Sequence, residues 1–403
     1  MKILFVAMAE SVHTARWISQ INTEGWDLHL FPSHNQHEIS AHLKNITVHH
    51  AVYTTTRHAD SSLKHRGIRL WFPFKNEMLG QSIRVALEKF FVDYRTKRLV
   101  RLIKRLKPDI IHTLEFQHAG YLTLQAREYF GDDFPTWIAS SWGNDLYLFG
   151  RLQAHESRIR KMLSYVDYYI ADCERDIPLA QKYGFEGTIL GAFPGGGGYH
   201  LQTLPTLETL EKPSQRKTIL IKGRHSFAGR ALNALTAIRQ CQDVLRDYDI
   251  VIYFATEDVL IETELLQQET GLNIRVFRNS DHEKWLELLS QARVNIGVSI
   301  SDGAPLSMLE SLLVGTFPIQ THTACADEWL IDGETGIIIK DERNVDEIAQ
   351  AIRRAVTDDD LVDRAAERNQ QIARKRLDFN KIREQVVAMY QKVYHEQRTN
   401  RHR

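Results

Sequence analysis

Nowhere in these 403 residues do roughly 18 apolar residues follow one another, the length a membrane-crossing helix needs, and no signal-peptide pattern opens the chain. The sequence therefore reads as a protein that is soluble or held at a membrane from outside. Cysteine is nearly missing: Cys173, Cys241 and Cys325 lie far apart with no paired spacing, which argues against a disulfide framework and against a zinc site. A cytoplasmic location, at most peripheral at the inner face of a membrane, is expected. Net charge is missing too, since Lys plus Arg total 51 and Asp plus Glu total 51. No overall field favours nucleic acid, and no nucleic-acid partner is expected. Tandem repeats and low-complexity tracts are absent, and nothing in the sequence sets an oligomeric state.

What is present is length enough for two cores and a strand–helix alternation that occurs twice. "KILFVAM" from Lys2, "DLHLF" from Asp27, "KPDIIHTL" from Lys107, "PTWIAS" from Pro135 and "VDYYIAD" from Val166 are short apolar runs separated by helical patterns, the signature of a parallel α/β sheet. Near Gly191 the texture changes to "GAFPGGGGYHLQTLPTLETLEKPSQ", which reads as a linker or hinge. A second series follows: "KTILIKG", "YDIVIYF", "LNIRVF", "VNIGVS", "FPIQ" and "GIIIK". The expected organisation is an α/β domain over 1–192, a linker over 193–216, a second α/β domain over 217–375, and a C-terminal helix over 376–403 that crosses back to the first domain. The end, "HEQRTNRHR", has little to bury and is expected to fray. Two doubly wound halves predict a crevice between them as the binding site.

The stretch "SISDGAPLSMLESLLVGTFPIQ", Ser299 to Gln320, has two readings. In the plain one, Asp302 or Ser307 caps a helix, and Ser307 with Glu310 forms a capping box. In the sharper one, free N–H groups of the helix's first turn meet an anion or hydroxyl while the two carboxylates accept from sugar hydroxyls. The plain reading explains Glu310 but neither Asp302 nor the "GTFPI" that follows.

Asp302, Gly303, Leu306, Glu310, Gly315, Pro318 and Ile319, followed by Glu328 and "DGETGIII", resemble the nucleotide-sugar site of retaining family-4 glycosyltransferases. The resemblance spans nearly the whole chain, is strongest from about Lys217 to Lys340 and is weaker between Thr54 and Lys89. It implies the GT-B fold, two Rossmann-like doubly wound domains facing across a cleft. It also implies transfer of a sugar from a nucleoside diphosphate to an acceptor hydroxyl with retention, without metal and with no cofactor beyond the donor itself. The implied partners are a nucleotide-sugar donor and a glycan or lipid-linked acceptor, in the setting of bacterial cell-surface polysaccharide or lipid-linked glycan synthesis. Carried over residue by residue, Glu310 meets the donor ribose, Asp302 meets the transferred sugar, and Gly303, Ala304, Pro305 and Leu306 bring backbone to its oxygens. The family's first acid is Glu; here it is Asp302, one methylene shorter. Relatives carry Gly-Arg and then Lys-Gly in the loop opening the second domain. Here Gly223 and Arg224 match, but Gly229 takes the lysine position and the cation comes one later, as Arg230. Arg224 and Arg230 are expected as the diphosphate clamp, because a guanidinium fork chelates two oxygens at once.

On the first half, "AESVHTARW" places Ser11 as an N-cap, with His13 as an acceptor-side residue or a packed loop histidine. "SSWGNDL" resembles a His-Gly-x-Asp motif in which Trp142 replaces the histidine while Gly143 and Asp145 remain. Asp145 orients acceptor or donor on one reading and caps a helix on the other. "PGGGGY", with Gly196 and Gly197, is a hinge, a run of bare amides against the donor, or both. "YRTKRLVRLIKRLK", Tyr94 to Lys107, is either a face attracted to an anionic bilayer or a solvated helix surface. "TDDDL" from Thr357 reads as a helix start rather than a metal site. A GT-B sugar-nucleotide epimerase and a non-catalytic GT-B subunit that partners an active enzyme are the rival readings.

Overall fold

The computed structural model describes residues 1–34, 39–53, 62–69, 82, 86, 93–194, 197–277 and 282–401. It divides into two compact units, Met1–Gly197 with Asn380–Arg403, and Gly198–Phe379. The weakly matching stretch from Thr54 to Lys89 falls largely outside the described residues.

The first unit is built on strands β1 (Lys2–Ala7), β2 (Asp27–Pro32), β3 (Thr47–Tyr53), β4 (Lys64–Arg69), β5 (Ile110–Leu114), β6 (Thr136–Ser140), β7 (Tyr168–Ala171) and β8 (Thr188–Ala192). They form one parallel sheet in the order β4-β3-β2-β1-β5-β6-β7-β8. A strand's side chains alternate between faces, and β1 shows the consequence. Ile3, Phe5 and Ala7 enter the apolar layer on one face, while Leu4 and Val6 enter the layer on the other. A sheet covered on both sides needs continuous apolar strands, which is why these runs were readable. The exposed β4 edge, whose residues are polar or glycine apart from Ile68, gave no such signal.

The second unit carries β9 (Thr218–Lys222), β10 (Asp249–Tyr253), β11 (Ile274–Phe277), β12 (Ala292–Gly297), β13 (Phe317–Thr321) and β14 (Ile337–Ile339). This parallel sheet is ordered β11-β10-β9-β12-β13-β14.

The division at Gly197 and Gly198 lies inside the expected 193–216 linker, and residues 198–216 are fastened to the second unit rather than free. Arg216, only 2% exposed, donates to the carbonyls of Glu211, Ala292 and Val314, and Arg374 donates to those of Leu201 and Pro205. Buried carbonyls left at strand and helix ends need such partners.

The last helix, Phe379–Arg401, packs on the first unit. Ile382, Val386, Met389, Tyr390 and Val393 join its apolar layer, each such burial contributing roughly 1.5–3 kcal/mol before entropy. The Tyr390 hydroxyl accepts from Trp17 Nε1 at 2.9 Å and meets His112 Nδ1 at 2.5 Å. The tail expected to fray instead stays helical to Arg401, with Tyr168 donating to Glu396 and Gln397 to the Asp109 carbonyl.

Candidate active site

In the second unit the loop between β12 and the Leu306–Val314 helix is held from both flanks. On one side Arg230 N–H donates to the Val298 carbonyl at 2.9 Å and Ile300 N–H to that of Ala228 at 2.9 Å. On the other, Thr323 Oγ1 donates to the Ser299 carbonyl at 2.5 Å and Asp302 N–H to that of Thr323 at 3.1 Å. Asn295, at 4% exposure, fixes the helix start through Nδ2 to the Ser307 carbonyl and Ser311 Oγ.

Pro305 is the N-cap, and no side chain caps the helix. Neither Asp302 nor Ser307 takes the expected capping position. Proline presets the helical φ but has no N–H, so Pro305 shapes the turn and donates nothing to a ligand. The uncapped first turn leaves N–H groups with positive partial charge.

Glu310 forms no capping box. It is 2% exposed and accepts from Tyr199 Oη at 3.0 Å, His282 Nε2 at 2.9 Å and Trp285 Nε1 at 2.6 Å. Tyr199 and Trp285 are themselves buried, whereas the His282 side chain is 53% exposed.

Asp302 is half-buried. Its Oδ1 accepts the Gly303 N–H at 3.0 Å and its Oδ2 accepts Lys222 Nζ at 2.9 Å. Each carboxylate oxygen has two acceptor positions. Lys222, the last residue of β9, continues the row of Thr218 and Leu220 along the strand. The sequence reading missed it; its one signal was a cation ending an otherwise apolar strand.

Gly223 follows at once, and its glycine identity comes from packing. A Cβ there would stand 2.5 Å from Ile252 Cγ2. Arg224 is exposed, and among the described residues its guanidinium has no protein partner. Arg230 is half-buried, and its Nη1 donates to the Ser226 and Gly229 carbonyls at 2.9 and 2.8 Å. It secures the 223–230 loop while part of its fork stays uncommitted. Gly229 lets this loop close, because a Cβ would meet the Arg224 carbonyl oxygen at 2.1 Å.

In the first unit Ser11 caps the Val12–Ser19 helix, accepting from His13 N–H at 3.2 Å. The His13 and Trp142 rings lie 5.4 Å apart and border a cavity of about 20 Å³ with Ser140, Ser141 and Phe193, room for about one water molecule. Asp145, expected to touch donor or acceptor, is instead buried at 3% exposure. Its Oδ2 accepts the N–H groups of Trp142 at 2.7 Å and Phe116 at 3.0 Å. Burial, reinforced by the nearby Glu115 charge, pushes its carboxyl well above the usual range. Asp145 sets the Trp142 turn from behind. Gly197, at φ +73°, offers its carbonyl to Gln20 Nε2 at 2.8 Å, and a Cβ there would fall 2.1 Å from that nitrogen. Gly196 lies outside the described residues.

The Tyr94–Leu106 helix exposes Lys97, Arg101, Lys104 and Arg105, whose spacing places them on one side. Arg95 is turned onto the Pro32 and Ser33 carbonyls, and Arg98 lies over the Phe31 and Tyr94 rings.

Several solved structures share this architecture. A sucrose-phosphate synthase from Thermosynechococcus elongatus is 17% identical with a TM-score of 0.69, covering 98% of this chain and 100% of its own. HepE of Anabaena, solved with UDP and glucose, is 13% identical with a TM-score of 0.67, covering 97% and 100%. An α,α-trehalose 6-phosphate synthase from Burkholderia multivorans is 11% identical with a TM-score of 0.69, covering 99% and 98%. At these identities the likeness speaks for the fold, which is GT-B. No curated protein sequence matches the chain. The family model for glycosyl transferases group 1 matches residues 206–372, and that for glycosyl transferase 4-like proteins matches 2–69 and 81–172. Between them they account for both units, and the chain belongs to the group 1 glycosyltransferases, with a first half of the glycosyl transferase 4-like kind.

Proposed function

We propose that the protein transfers a sugar from a nucleoside diphosphate to an acceptor hydroxyl, with retention and without a metal ion, and that the donor binds at the carboxyl edge of the second unit's sheet. The observation that carries this reading is the set of positive groups gathered there: exposed Arg224, Lys222 on Asp302, the part-committed fork of Arg230, and a helix start that no side chain caps. A departing diphosphate gains negative charge, and preorganised donors lower the barrier where charge develops. Arg224 and Arg230 are assigned to phosphate oxygens, Asp302 to hydroxyls of the transferred sugar, and the Ala304 and Leu306 amides with the Gly303 backbone to the sugar–phosphate junction. Glu310 is assigned to the ribose, whose hydroxyl takes the place of His282, which is exposed where Tyr199 and Trp285 are buried. UDP is the first nucleotide to test, because structures similar in fold were solved with it. Retention rests on the family likeness, in which the leaving phosphate receives the acceptor's proton.

The acceptor is assigned to the first unit, beside Ser11, His13 and Trp142, and is a glycan or lipid-linked glycan. The exposed row Lys97, Arg101, Lys104 and Arg105 suits an anionic membrane surface carrying such an acceptor.

The deciding experiment incubates the protein with sugar nucleotides, with and without a glycan or polyprenyl-linked acceptor extract, in the presence of EDTA, and follows nucleoside diphosphate. Acceptor-dependent release supports transfer. A changed sugar nucleotide without release indicates an epimerase, and inertness toward every donor indicates a binding subunit.

A further inference from the structure

At the carboxyl edge of the first unit's sheet, four titratable side chains meet that the donor chemistry does not use. Glu10 lies just past β1, His34 just past β2, and Glu115 just past β5, three neighbouring strands. His118 completes the group from the π-helical turn Phe116–Gly120. His34 Nδ1 is 2.6 Å from Glu10 Oε1, and His118 Nδ1 is 3.4 Å from Glu115 Oε2. The two imidazole rings stand edge to face, 4.2 Å between centroids. These are two carboxylate–histidine pairs side by side, each committing Nδ1 to its carboxylate. Among the described residues neither Nε2 has a partner, and the His118 side chain is 54% exposed.

The backbone beneath is unusual. Glu115 is a non-glycine residue at φ +78°, a strained conformation of the kind that gathers at functional sites. Its carboxylate is 4% exposed and accepts the N–H groups of His118 and Ala119, so one buried acid both closes the π-turn and orients the imidazole on that turn. π-Helical turns are themselves frequent at functional sites. The Glu115 hydrogen bond holds His118 above the ordinary histidine range, and the His34 contact holds Glu10 below the carboxylate range although burial alone would raise it. The Arg95 cation also bears on His118. With Nδ1 turned to a carboxylate, each Nε2 accepts when the ring is neutral and donates when it is protonated, the complement of neighbouring hydroxyl groups, each of which does both.

We propose that the Glu10–His34 and Glu115–His118 pairs form a hydroxyl-recognition site for the acceptor sugar, in which the two Nε2 atoms bind adjacent hydroxyls of a neutral hexopyranoside. The inference rests on the glycosyltransferase reading and assigns the acceptor's chemical class within it. His118 and His34 are specificity-determining residues, and Glu10 and Glu115 hold them in orientation.

The test titrates the full-length protein, ¹⁵N-labelled at histidine, with methyl α-D-glucoside, α-D-galactoside and α-D-mannoside, and follows the imidazole nitrogens. Signals are assigned with His34→Gln and His118→Gln, and melting curves confirm that both variants fold. The expected result is that at least one glycoside shifts both Nε2 resonances with a common dissociation constant. Each variant should weaken that glycoside tenfold or more while UDP affinity stays within twofold of wild type. Three results overturn the proposal: no glycoside shifts either resonance, both variants bind the glycoside as wild type does, or inorganic phosphate or zinc perturbs the pair at concentrations where glycosides do not. Failure of the donor reading is separate, since it appears as loss of UDP binding whatever the glycosides do.

Discussion

Replacing Glu310 by alanine should damage the protein in two measurable ways. The carboxylate accepts from Tyr199, His282 and Trp285, and two of those donors are buried, at 5% exposure each. Removing the acceptor strands both, at about 1–3 kcal/mol per unsatisfied buried group, so the second unit should lose about 2–6 kcal/mol. For a unit of this size each kcal/mol lowers the melting temperature by about 2–4 °C, which predicts a fall of roughly 4–24 °C. A capping box would have cost only about 1 kcal/mol. Glu310→Gln keeps one acceptor oxygen but turns an amide N–H against a donor, and should fall between. If the ribose replaces His282, His282→Ala should leave UDP affinity unchanged or tighter, whereas Glu310→Ala should weaken it at a temperature where the variant is folded. The assay pairs calorimetric melting with UDP titration. A Glu310→Ala protein melting within 1 °C of wild type would refute the hydrogen-bond account, and tighter UDP binding by that variant would refute the ribose assignment.

Lys222→Gln should leave the melting temperature nearly unchanged, because a partly exposed ion pair contributes only about 0.2–1 kcal/mol. It should weaken UDP by tenfold or more, with Lys222→Arg restoring much of the loss. A fall of many degrees with intact UDP affinity would make the Lys222–Asp302 pair purely structural. Burial, followed by the His29, Arg105, Arg98 and Arg66 charges, lowers His49 to about 4. The unfolded chain therefore takes up the proton first, and this contribution to stability is present above about pH 6.5 and lost as pH falls toward 4. Melting temperature against pH should drop across that window, and more shallowly in His49→Gln; identical profiles would contradict it. Reversing Arg101 and Arg105 to Glu should abolish salt-sensitive flotation with liposomes containing anionic lipid, while reversing Arg98, packed on Phe31 and Tyr94, should cost stability instead. Flotation indifferent to salt would leave the basic row as a solvated surface.

How much of this was legible in the sequence follows from where each signal is stored. Strands such as β1 and β9 are apolar on both faces, so burial writes them directly into the chain, whereas β4 at an exposed edge left no such trace. Asp302, Arg224 and the following helix start could be grouped as candidates from the sequence because strand, loop and helix are consecutive. The partners of Glu310 were not, because Tyr199, His282 and Trp285 come from 111, 28 and 25 residues away. Asp145 was located but given the wrong surroundings: its acceptor role toward Trp142 is local, while its burial depends on Phe116 and Glu115 from a neighbouring strand end. Lys222 was visible only as an oddity, a cation ending an apolar strand, until Asp302 appeared 2.9 Å away. The paired imidazoles of His34 and His118 likewise depend on β1, β2 and β5 being neighbours, which no local pattern encodes.

The central claim is that the second unit holds a nucleoside diphosphate through protein cations, with Arg224 foremost. Titration calorimetry of uridine, UDP and UDP-glucose in EDTA, on wild type and Arg224→Ala, tests it most directly. The account predicts that UDP binds wild type far more tightly than uridine does. It also predicts that Arg224→Ala weakens UDP and UDP-glucose alike, by roughly 1.5–3 kcal/mol as for a hydrogen bond to a charged group, while uridine is unaffected. UDP binding equally to wild type and Arg224→Ala, or binding no better than uridine, would contradict it.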